Sequence, residues 1–462
     1  MPILTRAVLG LLLAGAAFAA PPRTMRLDYF HACDAASEHL ALDALVLEGP
    51  WPGHPARYID DTNLGKYFFE VVDRRTNRVL YSRGFASIYG EWESTAEARE
   101  GWRVFHESVR FPQPAAPVQV SVKKRDRRNA FREIWSVSVD PADKTVDRTA
   151  PRATGAWAVI ENGAPPGKVD LLLMGDGYTA AQMDKWHRDA RRAADMLFAV
   201  SPFKERRGDF NVWAVDTPAE ESGVARPSDG VWRRSPLRVA YDAFGSERYV
   251  LTFDNKRLRE AAAAAPYEFI AILVNDRKYG GGGIFNLYST LAADNAFVPY
   301  LFVHEFAHHF AGLADEYYTS DVAYGSAEAR LEPWEPNVTA DPHAAKWKDL
   351  ATSGAPLPTP WPKQEFEALQ KEVQARRRAI RAAGRPEAEM EALFRDEGAR
   401  STKLLGAAPW AGKTGAFEGA MYEATGYYRP RIDCLMFSRN EVGFCEVCRR
   451  AIERVIALYT GR

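Results

Sequence analysis

The stretch VPYLFVHEFAHHFAGLADEYY, Val298 to Tyr318, constrains the fold more than any other part of the chain. Leu301, Phe302, Val303, Phe306 and Phe310 leave little polar face, so the helix they predict must be largely buried, and Gly312 supplies its stop. A buried helix carrying His304, Glu305 and His308 together is costly unless those groups share a partner. On a helix His304 and His308 lie one turn apart on one face, so both imidazoles reach a single ion. Glu305 sits about 100° further round, beside the position of a water on that ion. His309 points away from this face and reads as a packing or supporting residue.

These residue types in this order suit hydrolysis at zinc. Three protein ligands leave one position open, and zinc held that way lowers a water's pKa to about 7. Glu305 then takes the proton as the water attacks a peptide carbonyl and delivers it to the leaving amine. The third ligand must come from the turn after Gly312. In the related metzincin spacing H-E-x-x-H-x-x-G-x-x-H the glycine follows the second histidine by three residues, with the ligand three further on. Here Ala311 holds the glycine's place, and Ala314, in the ligand's place, has no donor atom. Counted from Gly312 itself, the third residue is Asp315, a carboxylate suited to zinc. The expected site is therefore His304, His308 and Asp315 around Zn2+, with Glu305 catalytic. Glu316 is the adjacent alternative to Asp315, and His343 the next residue to consider.

The rest of the chain sets the context. At 462 residues it exceeds a single hydrophobic core. A formal net charge of −1 gives no bulk attraction to nucleic acid or membrane, so the expected partner is a protein or peptide substrate. The start, MPILTRAVLGLLLAGAAFAA, has a basic residue, a short apolar run and Ala17-Phe18-Ala19, the pattern of a signal peptide over residues 1–19. The expected mature chain begins near Ala20, has no transmembrane segment, and is exported to a periplasm or beyond the cell. Export permits oxidation of Cys33, Cys434, Cys445 and Cys448. Cys445 and Cys448 form a C-x-x-C pair, but no second pair completes a four-cysteine metal site. One disulfide is expected within the C-terminal trio, from Cys434 to Cys445 or Cys448, with Cys33 left open.

Between residues 23 and 145 short β-branched and aromatic runs such as KYFFEVVD, VQVSVKK and FREIWSVSVD alternate with turn-forming clusters, which predicts a β-sandwich. Nothing in it gathers catalytic side chains. The linker PADKTVDRTAPRATG follows. From 155 to 462 buried runs alternate with helical patterns: VDLLLMGDGYT, then AAQMDKWHRDARRAADMLFAV with Thr179 as a helix cap, then FNVWAVDTP and YEFIAILVN. The fold class expected is α+β multidomain, an N-terminal β-sandwich followed by an α/β zincin (metzincin-like) catalytic domain. Residues 363–403 read as an inserted helical hairpin broken at Gly384-Arg385-Pro386, a shaper of substrate access, a dock for a partner or a plain surface excursion. Gly280 to Gly283 allow close approach of another backbone, such as an extended peptide. Met436, in RPRIDCLMF, suits an apolar base beneath the ion. Tyr427 and Tyr428 are candidates for a phenol at the site or for surface.

HEFAHHFAGLADEYY, GAFEGAMYEATGYYRPRIDCLM, FCEVC and YGGGGIFN together resemble the IgA-peptidase family of zinc metallopeptidases, over roughly Lys168 to Ile456. The β-rich N-terminal part resembles that family's companion domain. The resemblance implies zinc on His304 and His308 and catalysis by Glu305; it maps an acidic ligand onto Asp315 by position. It does not imply that immunoglobulin is the substrate. Two other classes stay open here: a secreted binding protein with a structural zinc site, and a zinc amidase acting on cell-wall peptides.

Overall fold

The computed structural model describes residues 22–151, 155–319 and 330–462. The leader expected over residues 1–19 lies outside them. The N-terminal part builds two antiparallel sheets. The first, in order β2-β1-β5, joins β1 (Arg23–Cys33), β2 (Glu38–Pro50) and β5 (Arg103–Pro112). The second, in order β4-β3-β6-β7, joins β3 (Tyr67–Asp73), β4 (Val79–Phe85), β6 (Val118–Arg125) and β7 (Phe131–Val139). Rings from the two sheets meet between them, Phe69 with Phe111 and Tyr29 with Trp135, so the facing sides of the sheets share one core. Two short helices, α1 (Ile88–Trp92) and α2 (Ala96–Glu100), interrupt the strands. The run RVLYSRGFASIY divides between β4 and α1: Ser87 caps α1 by accepting from the Gly90 amide and ends the extended backbone.

The later part is mixed α/β. Six strands run in the order β12-β13-β11-β9-β10-β8. They are β8 (Ala156–Ile160), β9 (Val169–Asp176), β10 (Phe210–Val215), β11 (Phe269–Val274), β12 (Gly281–Ile284) and β13 (Tyr288–Ala292). The central strands β9 and β11 are buried along their whole length, as the apolar runs LLLM and FIAILV require. Helix α3 (Met183–Leu197) is preceded by a short turn whose Thr179 and Gln182 form a reciprocal cap. Helix α4 (Asn255–Ala262) follows, then the motif helix α5 (Val298–Ala311).

Helices α6 (Lys363–Ala382) and α7 (Glu387–Gly406) form the expected hairpin. It is more than a surface excursion. Phe366 packs on Phe437, and Phe394 packs on both Tyr279 and Phe297, which precede α5. The hairpin's apolar side thus roofs the motif helix, and its buried Glu391 and Glu397 pair with Arg277 and Arg439 of the body beneath. A two-stranded ribbon, β14 (Phe417–Ala420) and β15 (Glu423–Arg429), and helix α8 (Glu446–Thr460) complete the chain. No helix among the described residues is long and apolar enough to cross a membrane.

Candidate metal centre

Helix α5 lies against the edge strand β12, and the glycine run makes that approach possible. A Cβ on Gly283 would stand 2.1 Å from the Glu305 carbonyl oxygen and 2.9 Å from His308 Cβ. The backbone that comes close is thus the motif helix itself. On the other side of β12, the Gly281 amide donates to Arg248 and its carbonyl accepts from Val250. His309, fully buried, fixes the helix from behind: its Nδ1 donates to the Ile284 carbonyl and its Nε2 accepts from the Ile270 amide. It belongs to the packing, as its place on the helix predicts.

Gly312 ends α5 in the left-handed region, with φ of 59°. The chain then doubles back, and consecutive side chains point opposite ways. Asp315 turns to the histidines: its Oδ1 lies 3.0 Å from His304 Nε2 and 3.2 Å from His308 Nε2, and the two Nε2 atoms are 3.1 Å apart. Glu316 turns away. Its Oε1 accepts from Asn337 and lies 3.4 Å from Cys448 Sγ, in a separate cluster with Cys434 and Cys445. Asn337 also brackets Ala314, accepting from its amide and donating to its carbonyl, so the register of the whole turn is held. His343 stands exposed on a short turn and is not part of either cluster.

The donor atoms fit a cation. His304 Nδ1 faces the Leu435 carbonyl at 3.2 Å and His308 Nδ1 faces the Leu313 carbonyl at 2.5 Å. A carbonyl only accepts, so each Nδ1 carries the proton and each Nε2 presents a lone pair. Two lone pairs and a carboxylate oxygen then converge with nothing positive between them, an arrangement that a metal ion relieves. The edges of 3.0 to 3.2 Å are close to those of three donors each about 2.0–2.2 Å from one zinc ion. The site also favours positive charge: burial disfavours a charged His308, yet Asp315 and Glu305 push it up to about 9, so a metal ion would take the place of the proton that His308 Nε2 otherwise shares with Asp315. Burial also works against an ionised Asp315, yet His308 and His304 hold its carboxyl well below the usual range.

Glu305 is buried beside these groups, and burial pushes its carboxyl up against the pull of His304 and His308. It lines a cleft of about 340 Å³ that His308 and Asp315 share. A smaller cavity of about 50 Å³ beneath the α6–α7 hairpin reaches Glu305 and His304 from the other side.

Several participants escape a reading of the sequence alone. Tyr422 donates its phenol to Asp315 Oδ2, and Tyr317, beside His304, meets both Tyr422 and Arg248. Tyr427 instead packs in a small apolar group and donates to the Leu331 carbonyl, and Tyr428 pairs by its backbone with Thr339. Both stand away from the cleft. Met436 is fully buried in a turn whose Leu435 carbonyl meets His304 and whose own carbonyl accepts the Glu316 amide. The N-terminal part, expected to hold nothing of the site, supplies one rim of the cleft through Gly90, Glu91 and Ser94 of α1 and its flank, with Tyr249 donating to Glu91. The expected disulfide is corrected: Cys434, Cys445 and Cys448 do come together, but as free thiols, with Cys434 and Cys448 sulfurs 3.8 Å apart. They meet a carboxylate as well as each other, a composition that spacing along the chain did not reveal.

A β-rich region followed by an α/β part bearing this helix is the arrangement that the family models match. The family model described as IgA Peptidase M64 matches residues 158–456, and the model described as Peptidase M64 N-terminus matches residues 18–136. The chain belongs to the IgA peptidase M64 family, a family of metallopeptidases. No curated protein matches it.

Proposed function

We propose that the chain is an exported, zinc-dependent endopeptidase with a metzincin-like catalytic domain. The observation that carries this reading is the convergence of His304 Nε2, His308 Nε2 and Asp315 Oδ1 beside the buried Glu305 at the floor of an open cleft. His304, His308 and Asp315 would hold the ion, which when bound supplies Lewis acidity to a water and to the scissile carbonyl. Glu305 accepts the proton of the attacking water on its carboxylate and returns it to the leaving nitrogen. Its raised affinity for protons suits both halves of that task. Tyr422, by holding Asp315 Oδ2, leaves Oδ1 aimed at the histidines. Export rests on the leader-like composition of the first residues.

The test is hydrolysis of casein, immunoglobulin A and muropeptides by zinc-loaded protein, with cut sites mapped by mass spectrometry and a chelator control. Internal cuts in polypeptides, abolished by chelator and restored by zinc, are expected. Cleavage of muropeptides alone would replace the endopeptidase reading with an amidase, and zinc binding without hydrolysis of any of the three would replace it with a binding protein.

A further inference from the structure

We propose that Cys434, Cys445, Cys448 and Glu316 bind a second zinc ion whose role is structural. All four side chains are buried, and one donor atom from each lies within 4.8 Å of the others. Two of these spacings suit a tetrahedral site. With metal–sulfur bonds of about 2.3 Å and a metal–oxygen bond of about 2.1 Å, sulfur–sulfur edges are about 3.8 Å and sulfur–oxygen edges about 3.6 Å. Cys434 Sγ and Cys448 Sγ are 3.8 Å apart, and Cys448 Sγ is 3.4 Å from Glu316 Oε1.

Chemistry favours an ion over a bridge. A disulfide uses two of the three sulfurs and leaves a third thiol buried beside the Glu316 carboxylate. Glu316 is wholly buried and its Oε2 has no hydrogen-bond partner, a costly state for a carboxylate. A thiophilic divalent ion engages all four groups and satisfies that oxygen's charge. Two further features favour negative charge here. Cys445 caps the N-terminus of α8 and Cys448 lies in its first turn, where the helix dipole favours negative charge. Burial pushes the Glu316 carboxyl up, and Arg429, also fully buried, pulls against that rise. Four protein ligands leave no open position, which separates this site from the one at the cleft.

The second ion would join three distant pieces of chain at one point. Glu316 adjoins Asp315, and the Cys434 turn carries the Leu435 carbonyl that orients His304. Loading of this site therefore holds the third ligand and the support of the first ligand in register.

The experiment counts metal and thiols on the full chain purified from an exporting host. Wild type should carry about two zinc ions, and the double variant His304→Ala/His308→Ala about one. In both, Cys434, Cys445 and Cys448 should resist alkylation until a strong chelator is added, and peptide mapping should recover them unbridged. One ion in wild type and none in the double variant would overturn the proposal, as would recovery of any pair of the trio as a disulfide. One ion in both proteins, with the trio protected, would uphold this site while sinking the zinc reading of the histidines. Because the count is made with the cysteines intact, it does not depend on whether a cysteine variant folds.

Discussion

Asp315 and Glu316 are adjacent carboxylates that join opposite clusters. One completes a set of three donors at the floor of a cleft; the other completes a set of four, sealed from solvent. The first set has two imidazoles whose far nitrogens are engaged by backbone carbonyls, and the buried Glu305 at its side. The second has three sulfurs, no base and no cleft. The same residue type thus serves reactivity or rigidity according to whether a position is left open. The turn that begins at Gly312 decides which residue does which, because a shift by one would exchange their faces.

Exchanging the two carboxylates one at a time gives the largest expected effect. Asp315→Ala should lose the ion at the histidines and bring hydrolysis to background, because it removes both a ligand and a counter-charge. Glu316→Ala should instead release the ion of the cysteine cluster and retain more of the histidine-bound zinc. Dialysis of both against a graded chelator, with metal analysis, reads the ranking; a reversed ranking would assign Glu316 to the histidines. Tyr422→Phe comes next. It keeps the ring but removes the hydrogen bond to Asp315, and a loss of about 10–100-fold in zinc affinity or activity is expected, as for other groups that orient metal ligands. Unchanged zinc affinity and unchanged kcat/KM together would remove Tyr422 from the site's support.

Gly283→Ala tests the packing of helix against strand. The added methyl meets the Glu305 carbonyl, so α5 must shift, and a cost of about 1–3 kcal/mol in a denaturant titration is expected. The smallest effect on hydrolysis, none, is expected for His31→Gln in the N-terminal sheets. His31 sits between Glu107 and Glu38 at 3.0 and 2.9 Å; burial works against its charge, yet these partners raise it to about 9. A folded pKa above the unfolded value of about 6.5 means the contribution is complete below about 6.5 and is lost as pH rises through about 9. Melting temperatures of wild type should fall across that window more steeply than those of His31→Gln. Equal slopes would show that His31 is not charged in the folded chain.

Much of the site was legible because it is local. The motif helix, its stop at Gly312 and the change of face at Asp315 all follow from spacing within one short segment. The buried strands β9, β10 and β11 announced themselves as apolar runs, and the α6–α7 hairpin by its helical charge pattern. What stayed hidden depends on contacts between distant segments. Glu316 and Cys448 are separated by 132 positions, so the fourth member of the cysteine cluster had no signal in a C-x-x-C count. Tyr422 reaches Asp315 across 107 positions, whereas the more conspicuous Tyr427 and Tyr428 lie further along the same ribbon on β15. The strands β1 and β2 pair with each other over a long register that a general β-rich composition does not specify. The glycine run was read correctly as a place of close approach, but which backbone arrives there is a tertiary fact.

The most direct test of the central claim is a measurement on Glu305→Ala at full zinc occupancy. Metal content and the circular dichroism spectrum should match those of wild type, while cleavage of casein should fall by about 10²–10⁴-fold, since the attacking water has lost its base. A zinc-loaded Glu305→Ala protein that cuts casein at the wild-type rate would contradict the account.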